Sequence, residues 1–141
     1  MLPTRILIVE DSPPIRLALR IALERLGFEV VDAADGRSGV RHALRHLPDL
    51  VLIDLEMPGM DGWQLLRALR QDFRTCDLPA IATTLRDEVS PGTAHSAGFG
   101  GLLRMPFTVS DLYIAITRVT RGGEKASDTS SPEPPCPPRA A

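Results

Sequence analysis

Five short runs of branched apolar residues alternate with five stretches of helical periodicity, and the connections between them are short. Acids or threonines stand where three of the runs end. The first two observations predict an α/β domain in which a five-stranded parallel sheet carries helices on both faces. The third predicts where its chemistry lies, because ligands of such sheets bind beyond the carboxyl ends of the strands.

The first run, Arg5 to Val9, has the composition of a strand buried on both faces and stops on Glu10 and Asp11. A helix follows. Ser12 is placed to cap it, Pro13 and Pro14 tolerate the missing N–H, and Ile15, Leu19, Ala22, Leu23 and Leu26 recur at helical spacing until Gly27. Phe28 to Ala34 reads as the second strand, Asp35-Gly36 as a turn, and Arg37 to Leu47 as a helix that turns Val40, Ala43, Leu44 and Leu47 inward before Pro48-Asp49 breaks it.

The third strand is Leu50 to Ile53, ending on Asp54, with a Pro-Gly loop and a helix from Gly62 to Arg70 that buries Leu65, Leu66 and Leu69. Pro79 opens a fourth strand over Ala80 to Thr83, and Gly100 to Met105 reads as the fifth. Between these two, Ser90-Pro91-Gly92 permits only a short fourth helix reaching Ala97, since a glycine costs about 1 kcal/mol relative to alanine in a helix. Thr108 and Asp111 have the spacing of a capping box before a fifth helix whose buried stripe is Leu112, Ala115, Ile116 and Val119.

These elements make one domain over residues 1–121. Residues 122–141, "GGEKASDTSSPEPPCPPRAA", are proline-rich and nearly devoid of apolar side chains, so a disordered tail is expected, a solvated segment rather than a docking motif. At 141 residues the chain is long enough for one core of its own. A net charge of -2 gives no electrostatic footprint for nucleic acid, and with no long apolar run or lipidation motif a soluble, cytoplasmic protein without membrane contact is expected. Cys76 and Cys136 have no metal-ligand spacing and imply neither a zinc site nor a disulfide framework. Nearly all the basic residues are arginine; the single lysine is Lys125.

Glu10 and Asp11, Asp54, and Thr83-Thr84 come from three strand ends that this topology brings to one edge. A strand-end aspartate also serves as a helix cap, which would account for Asp11 alone but not for the set. Neighbouring carboxylates repel unless a cation or shared proton relieves them, and Mg²⁺, a hard ion with oxygen ligands, suits such a site. A carboxylate beside Mg²⁺ is equipped to attack a phosphoryl group.

The motifs "ILIVEDSPPIR", "LVLIDLEMPGMDG", "LPAIATT" and "GLLRMPF" resemble, in order and spacing over residues 4–121, the receiver domain of bacterial two-component response regulators. The resemblance implies a flavodoxin-like fold with strand order 2-1-3-4-5. It implies that Asp54 is the phosphoacceptor, that Asp11, Asp54 and the Glu56 backbone carbonyl ligate Mg²⁺, and that Glu10 acts beside them or through water. Thr84 matches the hydroxyl that moves toward the phosphoryl group. The donor would be a histidine kinase or histidine phosphotransfer protein docking on the first helix, where Leu17 and Ile21 are candidate contacts, and the output would be contact with a downstream protein target. Tyr113 and Ile114 on the last helix are further candidates.

Three positions depart from the family. Met105 stands where a lysine binds the phosphoryl group, and losing a charged donor forfeits roughly 1.5–3 kcal/mol. Leu102 stands where an aromatic residue commonly follows the threonine, and the fourth helix is short. Arg104 should point away from Met105, but Arg86, two residues past Thr84, is a candidate replacement cation; the alternative is a surface ion pair of Arg86 with Glu56. The sequence therefore reads as a single-domain response regulator with altered readout. A receiver-like binding module working without phosphorylation is the alternative. An aspartyl phosphatase is disfavoured, because it would need a lysine and further acids late in the chain.

Overall fold

The computed structural model describes residues 4–122 and Cys136. Its elements run β1 (Arg5–Val9), α1 (Pro13–Arg25), β2 (Glu29–Ala33), α2 (Gly36–His46), β3 (Leu50–Asp54), α3 (Gly62–Arg70), β4 (Ala80–Thr84), α4 (Pro91–Ala97), β5 (Gly101–Arg104) and α5 (Val109–Gly122). All neighbouring strands pair in parallel, in the order β2-β1-β3-β4-β5.

Strand alternation divides the core into two layers. Leu7, Val9, Val51 and Ile53 pack with Ala43, Leu65, Leu66, Leu69, Ala94 and Phe99 of the α2, α3 and α4 side. Ile6, Ile8, Leu50, Leu52 and Ile81 pack with Leu19 and Leu23 of α1 and Leu112 and Ile116 of α5. The continuous apolar runs are thus strands covered on both faces.

The expected caps form. The Ser12 hydroxyl accepts from the Ile15 N–H, and Thr108 and Asp111 exchange both bonds of a capping box before α5. A further capping box, which the sequence reading did not single out, joins Asp61 and Gln64 at α3. Asp35 belongs to a cap as well as a turn: its carboxylate accepts from the Ser38 N–H, which holds its pKa below the usual value.

Three details correct the sequence reading. Leu47 does not turn inward: it closes α2 in the left-handed region (φ 45°) and is 55% exposed. The small residue Gly39 takes the interior position, where a Cβ would lie 2.9 Å from Val9. The cysteines are not incidental, because Cys76 and Cys136 form a disulfide across a sequence separation of 60. β4 also extends to Thr84, and α5 to Gly122. Apart from Gly122 and Cys136, the segment expected to be a disordered tail lies outside the described residues.

Candidate functional site

The register of β1 and β3 builds the site. Ile8 pairs with Leu52, so Glu10, two residues on, lies opposite Asp54 and on the same α1/α5 face. Asp54 in turn pairs with Thr83 across β4. Oxygens of Glu10, Asp11 and Asp54 all lie within 4.8 Å of one another. Glu10 and Asp54 are only 2% and 5% exposed.

Glu10 accepts from the Ser12 N–H at 3.1 Å through one oxygen, while its buried Oε1 has no hydrogen-bond partner. Its backbone carbonyl accepts from the Arg16 guanidinium at 2.8 Å, a contact the sequence reading missed although Arg16 sits in the first turn of α1. One oxygen of Asp54 accepts from the Glu56 N–H at 3.1 Å. Burial, followed by the neighbouring Glu10, pushes the Asp54 carboxyl up to about 8. Burial raises Glu10 too, with Asp11 adding to it. An orphaned buried oxygen among three converging carboxylates fits a hard divalent cation.

Gly62 lets the loop after Asp54 close tightly. A Cβ there would stand 2.5 Å from the Asp54 carbonyl oxygen and 2.7 Å from Leu55 Cα, so any side chain would push α3 off the end of β3.

Thr84, fully buried at the end of β4, follows Ala80 and Ala82 onto the α3/α4 face of the sheet. Its hydroxyl donates to the Glu56 carboxylate, at 2.9 and 2.8 Å from the two oxygens, and accepts from the Arg86 N–H at 3.0 Å. The Leu85 N–H also donates to Glu56, at 3.2 Å. Glu56 is therefore not the partner of the Arg86 side chain. That guanidinium faces Glu88 at 3.8 Å, on the surface, so the expected ion pair of Arg86 with Glu56 is not the one observed.

Just past the end of β5, Met105 continues the parity of Leu103 and so belongs to the face of Asp54. It is half-buried, and its N–H donates to the Thr84 carbonyl at 2.7 Å. Arg104 points the other way, as alternation requires. Its guanidinium donates to the carbonyls of Arg86, at 3.2 Å, and of Val89, bracing the loop before α4. Leu102 packs against the α3/α4 core layer. A cleft of about 420 Å³ beside Glu56 is bounded by Trp63, Arg86 and Val89, none of which except Arg86 had a sequence signal.

The structure thus brings together Glu10, Asp11, Asp54 and, through Glu56, Thr84; it leaves the Arg86 and Arg104 side chains outside. Leu17, Ile21, Tyr113 and Ile114 are exposed rather than parts of wider buried stripes.

A model of the response regulator receiver domain matches residues 6–117. Protein PilH of Pseudomonas aeruginosa is 43% identical over 84 residues, which cover 60% of this chain and 69% of PilH. The DNA-binding dual master transcriptional regulator RpaA of Synechocystis sp. is 33% identical over 118 residues, 83% of this chain and 49% of RpaA. The chain spans about half the length of RpaA and of several other transcriptional regulators that it matches. Among solved structures, the chemotaxis protein CheY4 of Vibrio cholerae aligns with a TM-score of 0.76 at 31% identity, over 82% of this chain and 98% of that one. The receiver domain of sensor histidine kinase PA1611 of Pseudomonas aeruginosa, with a magnesium ion coordinated in its active site cleft, aligns with a TM-score of 0.75 at 30% identity, over 83% and 98%.

Proposed function

The chain belongs to the response regulator receiver family, and from that premise we propose that it is a phosphorylation-dependent switch whose Asp54 takes a phosphoryl group from a phosphohistidine donor. The observation that carries this reading is the convergence of Glu10, Asp11 and Asp54 at adjoining strand ends, with Asp54 buried and Glu10 Oε1 left without a partner.

Asp11, Asp54 and the Glu56 carbonyl would hold Mg²⁺, with Glu10 acting through water. The ion supplies neutralisation of the crowded carboxylates and of the phosphoryl oxygens. The remaining work belongs to the chain. The Glu56 N–H fixes one oxygen of Asp54, which leaves the other to attack phosphorus. A carboxylate oxygen–phosphorus bond forms as the donor's nitrogen–phosphorus bond breaks, and imidazole leaves. Thr84 is the hydroxyl that reports the new group.

Met105 cannot supply a charged hydrogen bond. If that bond would favour the active state alone, its absence reduces the phosphorylation-driven shift about 10- to 100-fold, since a ligand moves an equilibrium only by its differential affinity. The exposed Leu17 and Ile21 of α1 support docking of a histidine kinase or phosphotransfer protein there. Among the described residues no helix is long and apolar enough to cross a membrane, which is consistent with a cytoplasmic site of action.

Met105 and the outward-turned Arg86 favour a second reading, a receiver-like module that binds its partner without phosphorylation. Labelling with acetyl phosphate, with and without Mg²⁺ and beside Asp54→Asn, decides between the two. The switch predicts Mg²⁺-dependent label that Asp54→Asn abolishes. Absence of Asp54-dependent label, both here and with phosphohistidine donors, leaves the binding module.

A further inference from the structure

A threonine hydroxyl has one proton to donate, and in this structure it is committed. Thr84 gives it to the Glu56 carboxylate, whose two oxygens stand 2.9 and 2.8 Å away. The same hydroxyl oxygen accepts from the Arg86 N–H. Glu56 also accepts the Leu85 N–H, so one carboxylate spans from the loop behind Asp54 to the loop behind β4, 28 and 29 residues away in sequence.

Among the described residues Glu56 forms no ion pair, and the nearby Arg86 guanidinium faces Glu88 instead. An unpaired carboxylate is a strong acceptor, and hydrogen bonds to charged groups are about twice as strong as neutral ones. A phosphoryl group on Asp54 would be a second anion seeking the same proton. Met105, just past β5 on the Asp54 face, offers it no positive charge that would tip the competition.

We propose that Glu56 is a latch: its carboxylate holds the Thr84 hydroxyl and the β4–α4 loop in the unphosphorylated arrangement and competes with the phosphoryl group for the Thr84 proton. Glu56 is a positioning residue here, acting through Thr84 rather than on the reacting atoms. The inference rests on the reading of Asp54 as phosphoacceptor for its second half only; the hold on Thr84 and Leu85 is a property of the unmodified protein.

Two variants test it, Glu56→Ala and the near-isosteric Glu56→Gln, both of which keep the backbone carbonyl. In the unmodified protein, amide exchange at Leu85 should accelerate about 10-fold in Glu56→Ala, because this N–H loses its acceptor, while amides of β1 and β3 stay unchanged. The Thr84 side-chain rotamer distribution, read from methyl three-bond couplings, should shift at the same time. On loading with beryllofluoride and Mg²⁺, the ratio of switched to unswitched Thr84 rotamer should be about 10-fold greater in Glu56→Ala than in wild type, with Glu56→Gln between them.

Unchanged Leu85 exchange and Thr84 couplings in both variants of the unmodified protein would overturn the latch. Released exchange with an unchanged switched ratio on loading would overturn the competition. Absence of Asp54-dependent loading in wild type and variants would overturn the phosphoacceptor reading instead, and the unmodified-protein comparison would still decide the hold on Thr84.

Discussion

Two aspartates bracket strand β3, and they have opposite fates. Asp49, just before the strand, accepts hydrogen bonds from the Thr4 N–H and hydroxyl and from the Arg5 N–H, at 2.8–3.0 Å. Chiefly the Arg5 N–H bond holds its pKa below the usual value. Asp54, five residues on, accepts one backbone N–H, is buried beside Glu10, and is pushed up to about 8. The first carboxylate is satisfied as an anion by the chain around it. The second is arranged so that the chain alone does not satisfy it, which is what a site awaiting a cation or a covalent modification requires.

The largest effect should come from neutralising each in turn. In denaturant unfolding at pH 8 without divalent cation, Asp54→Asn should stabilise the fold by roughly 2–5 kcal/mol, because it removes a carboxylate whose charge is disfavoured first by burial and then by the neighbouring Glu10. Asp49→Asn should destabilise it by about 1 kcal/mol, the small figure reflecting an exposed and solvent-screened site. Equal signs for the two variants would remove the contrast.

The two aspartates should also respond to pH with opposite signs. Asp54 is raised in the folded state, so between about pH 4 and pH 8 the native chain binds more protons than the unfolded one, and stability falls as pH rises through that window. Glu10 acts in the same direction. Asp49 is lowered, so its contribution is present above the unfolded value and is lost as pH falls through the acidic range. A melting series from pH 5 to pH 8 without divalent cation should therefore slope downward in wild type and flatten in Asp54→Asn. Millimolar Mg²⁺ should flatten it too, since a ligand of the native state alone stabilises that state.

Much of the upper end of the sheet was legible because strand ends are visible in sequence. The runs that stop on Glu10 and Asp54 fix both residues on one face once parallel pairing is assumed, and register does the rest. The capping box at Thr108 needs only local spacing; the one at Asp61 has the same local signature and was overlooked. What could not be read are contacts that depend on packing between distant segments. Glu56 meets Thr84 across 28 residues, and nothing local distinguishes that partner from the Arg86 expected instead. Cys76 meets Cys136 across 60 residues, a pairing for which neither spacing rule nor composition gives a signal. Leu47 fits the helical period of α2, but Pro48 follows it and the chain leaves the helix there in a left-handed turn.

Two arginines carry the comparison to its smallest effect. Arg70, at the lower end, donates to the carbonyls of Leu78 and Gly98 at 2.7 and 3.1 Å and ties α3 to the segments before β4 and after α4. Arg86, beside the acidic site, meets only Glu88 through its side chain among the described residues, at 3.8 Å and with both partners exposed. Exposed ion pairs contribute about 0–1 kcal/mol, so Arg86→Ala should leave stability within roughly 0.5 kcal/mol of wild type, whereas Arg70→Ala should cost about 1–3 kcal/mol by stripping carbonyls of their donor. Formation and lifetime of the phosphoprotein should also be unchanged in Arg86→Ala, because the hydrogen bond from residue 86 to Thr84 comes from the backbone and survives the substitution. A phosphoprotein that forms more slowly or decays at a different rate in Arg86→Ala would mean that the guanidinium leaves Glu88 for the phosphoryl group, and would make Arg86 the cation that replaces the lysine missing at Met105.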